Sequence, residues 1–456
     1  MVFNSDIFLF AFLPIVFVLF WTMRSKQSRY VIMTVAGYVF YGYWNWHFCF
    51  LLLFSSLVSF TAGNLMTRVR SGRAKRTIVA LTVGTDLTLL GFFKYYDFLV
   101  RSVSSLLPGV HLPLLDIVLP IGISFYTFHT ISYVIDVSAG RVRATRNLFE
   151  YLTYVSLFSQ LVAGPIVRFR QIEEDLEHLD GPPREDWVAR GIAFFVIGLI
   201  KKVMIADHIA SDINPMLQHV GSMTVIEAWV AALGYTCQLY FDFSGYSDMA
   251  VGLGLLFGLR IPQNFNSPYW ALGITDFWRR WHISLSSWLR DYLYFPLGGN
   301  RCGTAMMFRN LMIVMLLGGL WHGANWTFVV WGGYHGLLLV LDRIGTPFYT
   351  KLPRHVYQLQ TFLLVVVGWV LFRSSTFGMA LQWLRHMFVG PVGSLATVTH
   401  AAAWTAVALV IAATMPEAWE MRFGTSRRWA VLWGVLFVTT YFFMNGKESV
   451  FLYYQF

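Results

Sequence analysis

The sequence is short of charge. Asp, Glu, Lys and Arg make up 13% of its 456 residues, whereas soluble proteins carry about 25%. Hydrophobic residues account for 56% of the chain and aromatic residues for 18%. This balance excludes a soluble globular protein and indicates an integral membrane protein.

Cysteine is scarce as well. Cys49, Cys237 and Cys302 are too few and too widely spaced for a disulfide framework or a thiolate metal site. None of the twelve histidines belongs to a His-x3-His pair, so we predict no metal site. The Gly-x-Ser-x-Gly and Gly-x4-Gly-Lys-Ser/Thr motifs are missing too, which argues against a serine hydrolase and a P-loop protein.

The net charge is +10, yet the basic residues occur in short clusters between apolar runs. A nucleic-acid-binding protein gathers them on one solvated surface, so we expect no nucleic-acid partner. The clusters at 24–29, 68–76 and 141–146 are typical of cytoplasmic loops in a membrane protein. The apolar run Ile7–Trp21 follows polar and acidic residues, which predicts a retained first helix whose N-terminus lies outside the cytoplasm.

Long apolar runs fill most of the chain, and a helix needs about 20 such residues to cross a membrane. Tyr30–Met66 is long enough for two helices with a turn at Tyr43–Trp46. Thr77–Phe93 is expected to lead outward, and Lys94–Asp116 to form an external connection. Ile117–Val137 then returns to the basic cluster at 141–146.

Other segments are not expected to span the bilayer. Asn147–Val167 ends in Ala163-Gly164-Pro165 and precedes further arginines, which favours a re-entrant element. The acidic stretch Gln171–Asp186 indicates a soluble cytoplasmic loop or a short amphipathic helix, and Phe377–Phe388 an interfacial helix. The remaining apolar runs are 191–210, 224–259, 311–342, 358–372, 401–415 and 429–445. We therefore predict one all-α polytopic membrane domain over residues 1–456, with roughly 11–14 transmembrane, re-entrant and interfacial elements.

The densest polar stretch runs from Trp278 to Tyr294. Its Trp, Tyr and Arg residues are typical of a membrane interface, and that reading explains most of the segment. His282 is its only group that titrates near neutral pH, and we expect it at the mouth of a buried cavity. The arginines nearby are also suited to a phosphate-bearing donor.

A second polar segment, Gly318–Trp326, lies inside the apolar run 311–342. An ionisable residue at membrane depth marks a functional site by default, which makes His322 a candidate. The alternative is a structural histidine bonded to a neighbouring helix, and for His335 we favour that alternative. Asp242 and Asp248 are also open to two readings: intramembrane proton-relay acids, or caps that hold a hairpin through backbone hydrogen bonds.

Several long motifs resemble the membrane-bound O-acyltransferase (MBOAT) family, in particular its alginate O-acetylase branch. The similarity runs over nearly the whole chain, from Met1-Val2-Phe3 onward. The motifs that carry it are Leu119-Pro120-Ile121-Gly122-Ile123-Ser124-Phe125, Ala163-Gly164-Pro165, Gln238–Asp248, Trp278–Arg301 and Gly318–Trp326.

The resemblance implies helices around a central funnel and tunnel, with His322 as the catalytic histidine and His282 as the second family histidine. It also implies a bacterial inner-membrane enzyme that takes an acetyl group from a cytoplasmic donor, with acetyl-CoA as the expected substrate and no bound cofactor. The acceptor would be an extracellular polysaccharide such as alginate, cellulose or peptidoglycan. Envelope or periplasmic partner proteins are expected, and D-alanylation of teichoic acid is a related alternative.

The residues fit this chemistry. A neutral imidazole can accept a proton from a hydroxyl at physiological pH, so His322 is expected to be the general base, with a covalent acyl-histidine as a lesser possibility. His282 is expected to orient donor or acceptor, and Asn325, at i+3, to bond the same site. Further candidate binding residues are Trp321, Arg279, Arg280, Arg290, Asp242 and Asp248.

The chain ends at 451–456 without a soluble domain, so we expect a separate partner to receive the acyl group. A transporter or channel for an acyl carrier or polymer, and a scaffold for a polymer synthase, are the rival hypotheses.

Overall fold

The computed structural model describes residues 1–107, 109, 112–349, 351–444 and 451–452. Over these ranges the chain forms helices and no β-strand, which confirms the all-α prediction. The α-helices are α1 (Leu13–Thr22), α2 (Lys26–Gly42), α3 (Phe48–Arg68), α4 (Gly72–Leu90), α5 (Tyr96–Leu106), α6 (Ile123–Ser138), α7 (Leu148–Ser156), α8 (Phe169–Glu177), α9 (Glu185–Ile200), α10 (Asp207–Leu217), α11 (Val225–Leu256), α12 (Ile274–Arg280), α13 (Ile283–Leu289), α14 (Thr304–His322), α15 (Trp326–Tyr349), α16 (Arg354–Arg373), α17 (Phe377–His386), α18 (Thr399–Thr414) and α19 (Arg427–Met444).

Short segments of tighter or wider helix join several of these. The π-helical segments of the described chain are Phe8–Phe12, Gly91–Tyr95, Lys201–Ala206 and Arg290–Tyr294, and the 3₁₀ turns are Val220–Ser222, Pro268–Trp270 and Leu395–Val398. Parts of three sequence predictions lie outside the described residues: 108, 110 and 111 in the external connection, 445 in the last apolar run, and 453–456 in the terminal segment.

Among the described residues, five helical stretches are long and apolar enough to cross a membrane. They are Phe48–Arg68, Gly72–Leu106, Thr304–His322, Arg354–Arg373 and Leu395–Thr414, and Phe8–Thr22 is a shorter apolar helix. The turn expected at Tyr43–Trp46 does separate α2 from α3. The protein is therefore a multi-pass membrane protein, as predicted.

The structure corrects the prediction of an external connection at Lys94–Asp116. The helix that begins at Gly72 continues through the π-helical segment Gly91–Tyr95 to Leu106. Lys94 consequently lies inside a helix, and its side chain reaches the protein interior. Hydropathy missed this because Lys94, Asp97 and Arg101 interrupt the apolar run.

Two other predicted runs are broken. Within 311–342 the chain leaves the helix after His322 and begins a new one at Trp326. Within Asn147–Val167 only Leu148–Ser156 is helical, and the irregular backbone that follows, 157–167, is buried throughout. Irregular backbone at membrane depth is tolerated where protein surrounds it, as expected of a re-entrant element.

α11 is a central element of the bundle. Its 32 residues form one helix of about 48 Å, and every residue from Gly234 to its end is buried. Thr224 and Glu227 form a capping box at its start. Asp242 and Asp248 therefore lie in the middle of a continuous helix, and the reading of the two acids as caps of a hairpin is wrong.

Contacts between loops place the basic clusters on one face of the molecule. The Lys26 ammonium donates to the Glu177 carbonyl at 3.0 Å, and the Asn64 amide, near the end of α3, donates to the Thr145 carbonyl at 3.1 Å. α8 lies on this face as the short helix expected within Gln171–Asp186, and its Asp175 pairs with Arg260. A single charged face fits the cytoplasmic side of the predicted topology.

Candidate active site

The candidate site forms where α14 ends. His322 is the last residue of that helix and is 6% exposed. The close packing of α14 on α15 depends on glycine: a Cβ on Gly319 would lie 2.2 Å from the Phe328 carbonyl oxygen, and one on Gly332 would lie 2.3 Å from that of Met315. The sequence around His322 therefore folds as two tightly paired helices with a break between them.

His322 lines two cavities. The larger, of about 570 Å³, is also lined by Trp44, Pro120 and Lys94. The smaller, of about 100 Å³, is also lined by Ser286 and other residues of α12, α13, α14 and α15. One histidine thus contributes to the walls of both cavities.

Aromatic rings surround the imidazole of His322. The Trp331 ring lies edge-on with its centroid 5.2 Å away, and the Phe372 ring lies edge-on at 5.3 Å. Trp321 lines the larger cavity beside His322 and packs against Phe125. Aromatic walls of this kind lower the local dielectric, which strengthens electrostatic interactions inside the site.

His282 lies beside His322, with 6.5 Å between the ring centroids. It is fully buried, so its expected place at a cavity mouth is wrong; it is the residue before α13 and packs edge-on against Phe243. Its backbone has φ of 45°, a left-handed conformation that is uncommon for a residue other than glycine. Such strained residues cluster at functional sites, where surrounding contacts hold them in place.

Asn264 is the hydrogen-bond partner of His282. Its Oδ1 lies 3.1 Å from His282 Nδ1 and also accepts from the backbone N–H and the hydroxyl of Ser284. Asn264 has no local signal in the sequence, because its partner His282 is eighteen residues away.

Lys94 is the second residue that the sequence analysis missed. Its ammonium donates to the Trp321 carbonyl, at the end of α14, and to the Ser124 hydroxyl at 3.3 Å. It also lies over the Trp321 ring, 5.7 Å from the centroid. A lysine within an apolar helix was the available signal, since intramembrane cations mark functional sites.

None of the three candidate arginines is bonded to His282. Arg280 bonds the Asp276 carboxylate at 3.0 Å and the Asn266 carbonyl, Arg290 bonds Asp291 at 2.8 Å, and Arg279 is exposed. The sequence had led us to expect the arginines around the buried imidazole of His282, and they do not cluster there. Arg290 immediately follows α13, whose residues line the small cavity.

Arg290 belongs to a larger cluster on the charged face of the molecule. Asp291 also receives Arg168 at 2.6 Å and Arg170 at 3.5 Å. Partial burial acts to raise the pKa of Asp291, but hydrogen bonds from Arg290 and Arg168 outweigh it and hold the pKa below its usual value. Because the acid stays ionised, it keeps the arginines ordered near the approach to the small cavity.

Asn325 has a different role from the one expected. Its side-chain oxygen accepts from the Thr327 backbone N–H at 3.0 Å, and its amide donates to the Ser375 carbonyl at 2.9 Å. The i+3 spacing does not apply because the helix is interrupted between His322 and Trp326. Asn325 thus caps α15 and is not bonded to the imidazole of His322.

Asp242 and Asp248 form ion pairs with lysines. Lys202 lies 2.6 Å from Asp242, and Lys201 lies 2.8 Å from Asp248 and 3.4 Å from Glu417. Both lysines belong to the π-helical segment after α9, so the pairs join α9 to α11. Their expected role in binding substrate stays a prediction, since these contacts are structural.

His335 is fully buried among rings and packs against Trp278, Trp331 and Trp369. These ring contacts are structural, but the hydrogen bond to a neighbouring helix that was expected of a structural histidine is not formed, because neither ring nitrogen of His335 has a partner among the described residues. Within the described residues, no group of three or more His, Cys, Asp or Glu side chains is arranged to hold a metal. The prediction of no metal site remains a prediction.

The sequence was compared with known protein families and curated proteins. The model of the membrane-bound O-acyltransferase family matches residues 24–381. The "Probable alginate O-acetylase AlgI" of Pseudomonas aeruginosa is 44% identical over 401 residues, covering 85% of this chain and 75% of the relative.

More distant relatives are named for other activities. The "Peptidoglycan O-acetyltransferase" of Helicobacter pylori is 36% identical over 424 residues, with 85% of this chain and 80% of the relative covered. The "Teichoic acid D-alanyltransferase" of Bacillus subtilis is 28% identical over 242 residues, with 51% and 61% covered. The shared feature of these names is transfer of an acyl group in the cell envelope.

Proposed function

The chain belongs to the membrane-bound O-acyltransferase family and is an O-acyltransferase, and we propose that it moves an acetyl group from a cytoplasmic donor to the outer side of a bacterial inner membrane. The donor is acetyl-CoA, and the final product is an O-acetylated polysaccharide. The alginate and peptidoglycan relatives each match 85% of this chain and are both named as O-acetylating enzymes. The D-alanyltransferase matches 51% of it, which favours acetyl over D-alanyl transfer.

The observation that carries this proposal is the position of His322 in the walls of two cavities. The small cavity adjoins α13, which leads into the arginine-rich face, and the large one adjoins the Tyr43–Trp46 turn. A donor thioester approaching from one face and a hydroxyl approaching from the other would meet at this imidazole. The geometry therefore supports transfer across the membrane by one histidine.

The chemistry is acyl transfer from sulfur to oxygen. His322 takes the proton of the attacking hydroxyl while its oxygen forms a bond to the thioester carbonyl carbon. When the tetrahedral intermediate collapses, the carbon–sulfur bond breaks and the imidazolium returns the proton to the leaving thiolate. His282 assists by orienting the reactants beside His322, and the dry aromatic wall strengthens any donor that faces the oxyanion.

The arginines serve the donor and a second protein serves the acceptor. Arg290 lies on the face assigned to the cytoplasm, next to Asp291, and Arg279 is exposed. Guanidinium groups suit the phosphates of acetyl-CoA. An envelope partner supplies the hydroxyl that enters the large cavity and passes the acetyl group to the polysaccharide. The choice among alginate, cellulose and peptidoglycan rests with that partner.

The test is CoA release by the purified protein in lipid, supplied with acetyl-CoA and a hydroxyl acceptor or the partner. We expect His322→Gln to lower the rate of CoA release by roughly a hundredfold or more, which is the usual loss of rate when a general base is removed. His335→Gln is the matched control, since it changes a buried histidine that lines neither cavity, and its activity should stay within a few-fold of wild type.

Each rival predicts another result. A transporter would conduct an acyl carrier without releasing CoA, and a scaffold would tolerate His322→Gln. If His322→Gln releases CoA at the wild-type rate, the assignment of His322 is wrong. If D-alanyl thioester is used in preference to acetyl-CoA, the acetyl assignment is wrong.

A further inference from the structure

The buried contacts of Asn264 define which way its amide faces. Asn264 is 2% exposed and lies in the segment between α11 and α12. Its side-chain atom near Ser284 lies 3.2 Å from that residue's backbone nitrogen. A backbone N–H can only donate, so the atom that faces it must be the carbonyl oxygen Oδ1.

The other end of the amide agrees with this orientation. Nδ2 donates to the Ser247 hydroxyl on α11 at 3.0 Å. Reversing the amide would bring two donors together at Ser284, which a buried site does not tolerate. The orientation of Asn264 therefore follows from the hydrogen bonds and not from the choice of atom labels.

This orientation assigns the proton on His282. Nδ1 of the imidazole lies 3.1 Å from the same Oδ1. Because Oδ1 can only accept, Nδ1 must carry the hydrogen. In the neutral ring the lone pair then lies on Nε2.

We propose that Asn264 is a positioning residue that keeps the proton of His282 on Nδ1, so that Nε2 offers a lone pair to the reaction at His322. This inference rests on the function proposed above, since it assigns a role to His282 in acyl transfer. A lone pair at Nε2 makes His282 a hydrogen-bond acceptor, suited to align the attacking hydroxyl or the neighbouring imidazole, which lies 6.5 Å away between ring centroids. With the proton on Nε2 it would act as a donor instead.

Asn264 also holds the strained backbone of His282. The backbone carbonyl of Asn264 accepts from the backbone N–H of Ile283 at 2.9 Å, and Ile283 directly follows His282 with its left-handed backbone. Ring and backbone of His282 are thus fixed by one residue. Fixing a catalytic group in this way is how a second layer of hydrogen bonds tunes an active site.

The titratable surroundings of His282 set the conditions for a test. α14 contributes His322, and Lys94 approaches the same helix end from the 72–106 helix. α11 contributes the uncharged Phe243 and Ser247, and α13 contributes Ser284. A carboxylate at position 264 would therefore be a new negative charge next to His282.

The direct test reads the tautomer without using activity. Protein labelled with ¹⁵N-histidine in lipid is measured by solid-state NMR, and the His282 signals are assigned by their loss in His282→Gln. We expect Nδ1 to be of the N–H type and Nε2 to be of the imine type in the wild type and in Ser247→Ala, which keeps the Oδ1 contacts. An Nε2–H tautomer in the wild type overturns the proposal, whether or not any variant folds.

The functional test uses the pH dependence of CoA release. Asn264→Asp keeps an acceptor at the same position and adds a charge that favours imidazolium, so the acid limb of the pH–rate profile should move to higher pH by about one unit. Asn264→Ala should lower release at least about tenfold, whereas His335→Gln, at a buried histidine that lines neither cavity, should keep the wild-type profile. An Asn264→Asp profile identical to wild type would contradict the proposal.

The experiments distinguish a failure of the proposed function at His322 from a failure of the positioning role of Asn264. Retained CoA release in His322→Gln removes the proposed function but leaves the NMR assignment of His282 standing. An Nε2–H tautomer, or an unshifted Asn264→Asp profile in an enzyme that depends on His322, removes only the role of Asn264.

Discussion

Lys94 lines the large cavity together with His322, and it binds the carbonyl end of α14. A positive charge at a helix C-terminus is favourable because the helix dipole is negative there. The same charge is placed to attract an anionic group of the acceptor or a developing oxyanion. One side chain thus stabilises the helix end that carries His322 and adds charge to the cavity.

We expect Lys94→Met to lower CoA release by roughly tenfold or more, because hydrogen bonds to a charged group contribute about 1.5–3 kcal/mol. Lys94→Arg should keep part of the activity. Lys351→Met, at an exposed lysine, is the control and should match wild type. Full activity of Lys94→Met at normal protein level would show that the charge is not used.

At the same scale, sequence reasoning found the residues with a local signal. His322 and His282 were identified because each is an ionisable group within an apolar or aromatic motif. Asn264 has no such signal: its role depends on contacts with Ser247 and Ser284, seventeen and twenty residues away. Hydrogen bonds of this range are a product of folding and cannot be read from neighbours in the chain.

At the scale of elements, the contact between α14 and α15 sets the position of His322. Gly319 and Gly332 face the backbone of the opposite helix, and neither contact leaves room for a methyl group. Helices in membranes associate through such small residues, since burial of apolar surface gives little driving force in lipid.

We predict that Gly319→Ala separates the two helices and destabilises the protein by about 1–3 kcal/mol, as overpacking usually does. Thermal unfolding in detergent should show a lower midpoint, together with reduced CoA release. Gly333→Ala is the matched control, because its Cβ would lie 3.5 Å from a Leu316 methyl, an ordinary contact. Equal midpoints for the two variants would rule out this explanation of the glycines.

Helix boundaries were the least predictable feature at this scale. Hydropathy describes 311–342 as one apolar run, although residues Gly323 to Asn325 interrupt the helix there. Hydropathy also predicts a helix end at Lys94, where the helix in fact continues to Leu106. The first case combines a local cap, in which the Asn325 side chain accepts from the Thr327 N–H, with a hydrogen bond from its amide to the distant Ser375 carbonyl. In the second case, the burial of Lys94 against Trp321 depends on a segment that is distant in sequence.

At the scale of the molecule, buried ion pairs connect helices that apolar packing alone would leave free to slide. Lys201 and Lys202 bind Asp248 and Asp242 on α11. Removing one partner of a buried pair leaves an uncompensated charge, which is more costly than losing both. The sequence singled out the two acids, but their lysine partners, 47 and 40 residues away, could be found only in the folded chain.

The distribution of charge predicts which face the large cavity opens to. The basic clusters and α8 share one face, while the Tyr43–Trp46 turn that adjoins the cavity lies between the far ends of α2 and α3. Under the positive-inside rule that turn is outside the cytoplasm. An acceptor would then enter His322's large cavity from outside.

Cysteine labelling tests this orientation with a reporter on each face. In a Cys49→Ser background, His47→Cys should react with a membrane-impermeant maleimide in intact spheroplasts, because residue 47 is exposed on the outer turn. The native Cys302, which is exposed beyond the Arg290–Tyr294 segment, should react only in inverted vesicles. Labelling of Cys302 in intact spheroplasts and protection of His47→Cys would reverse the topology, and with it the assignment of donor and acceptor sides to the two cavities.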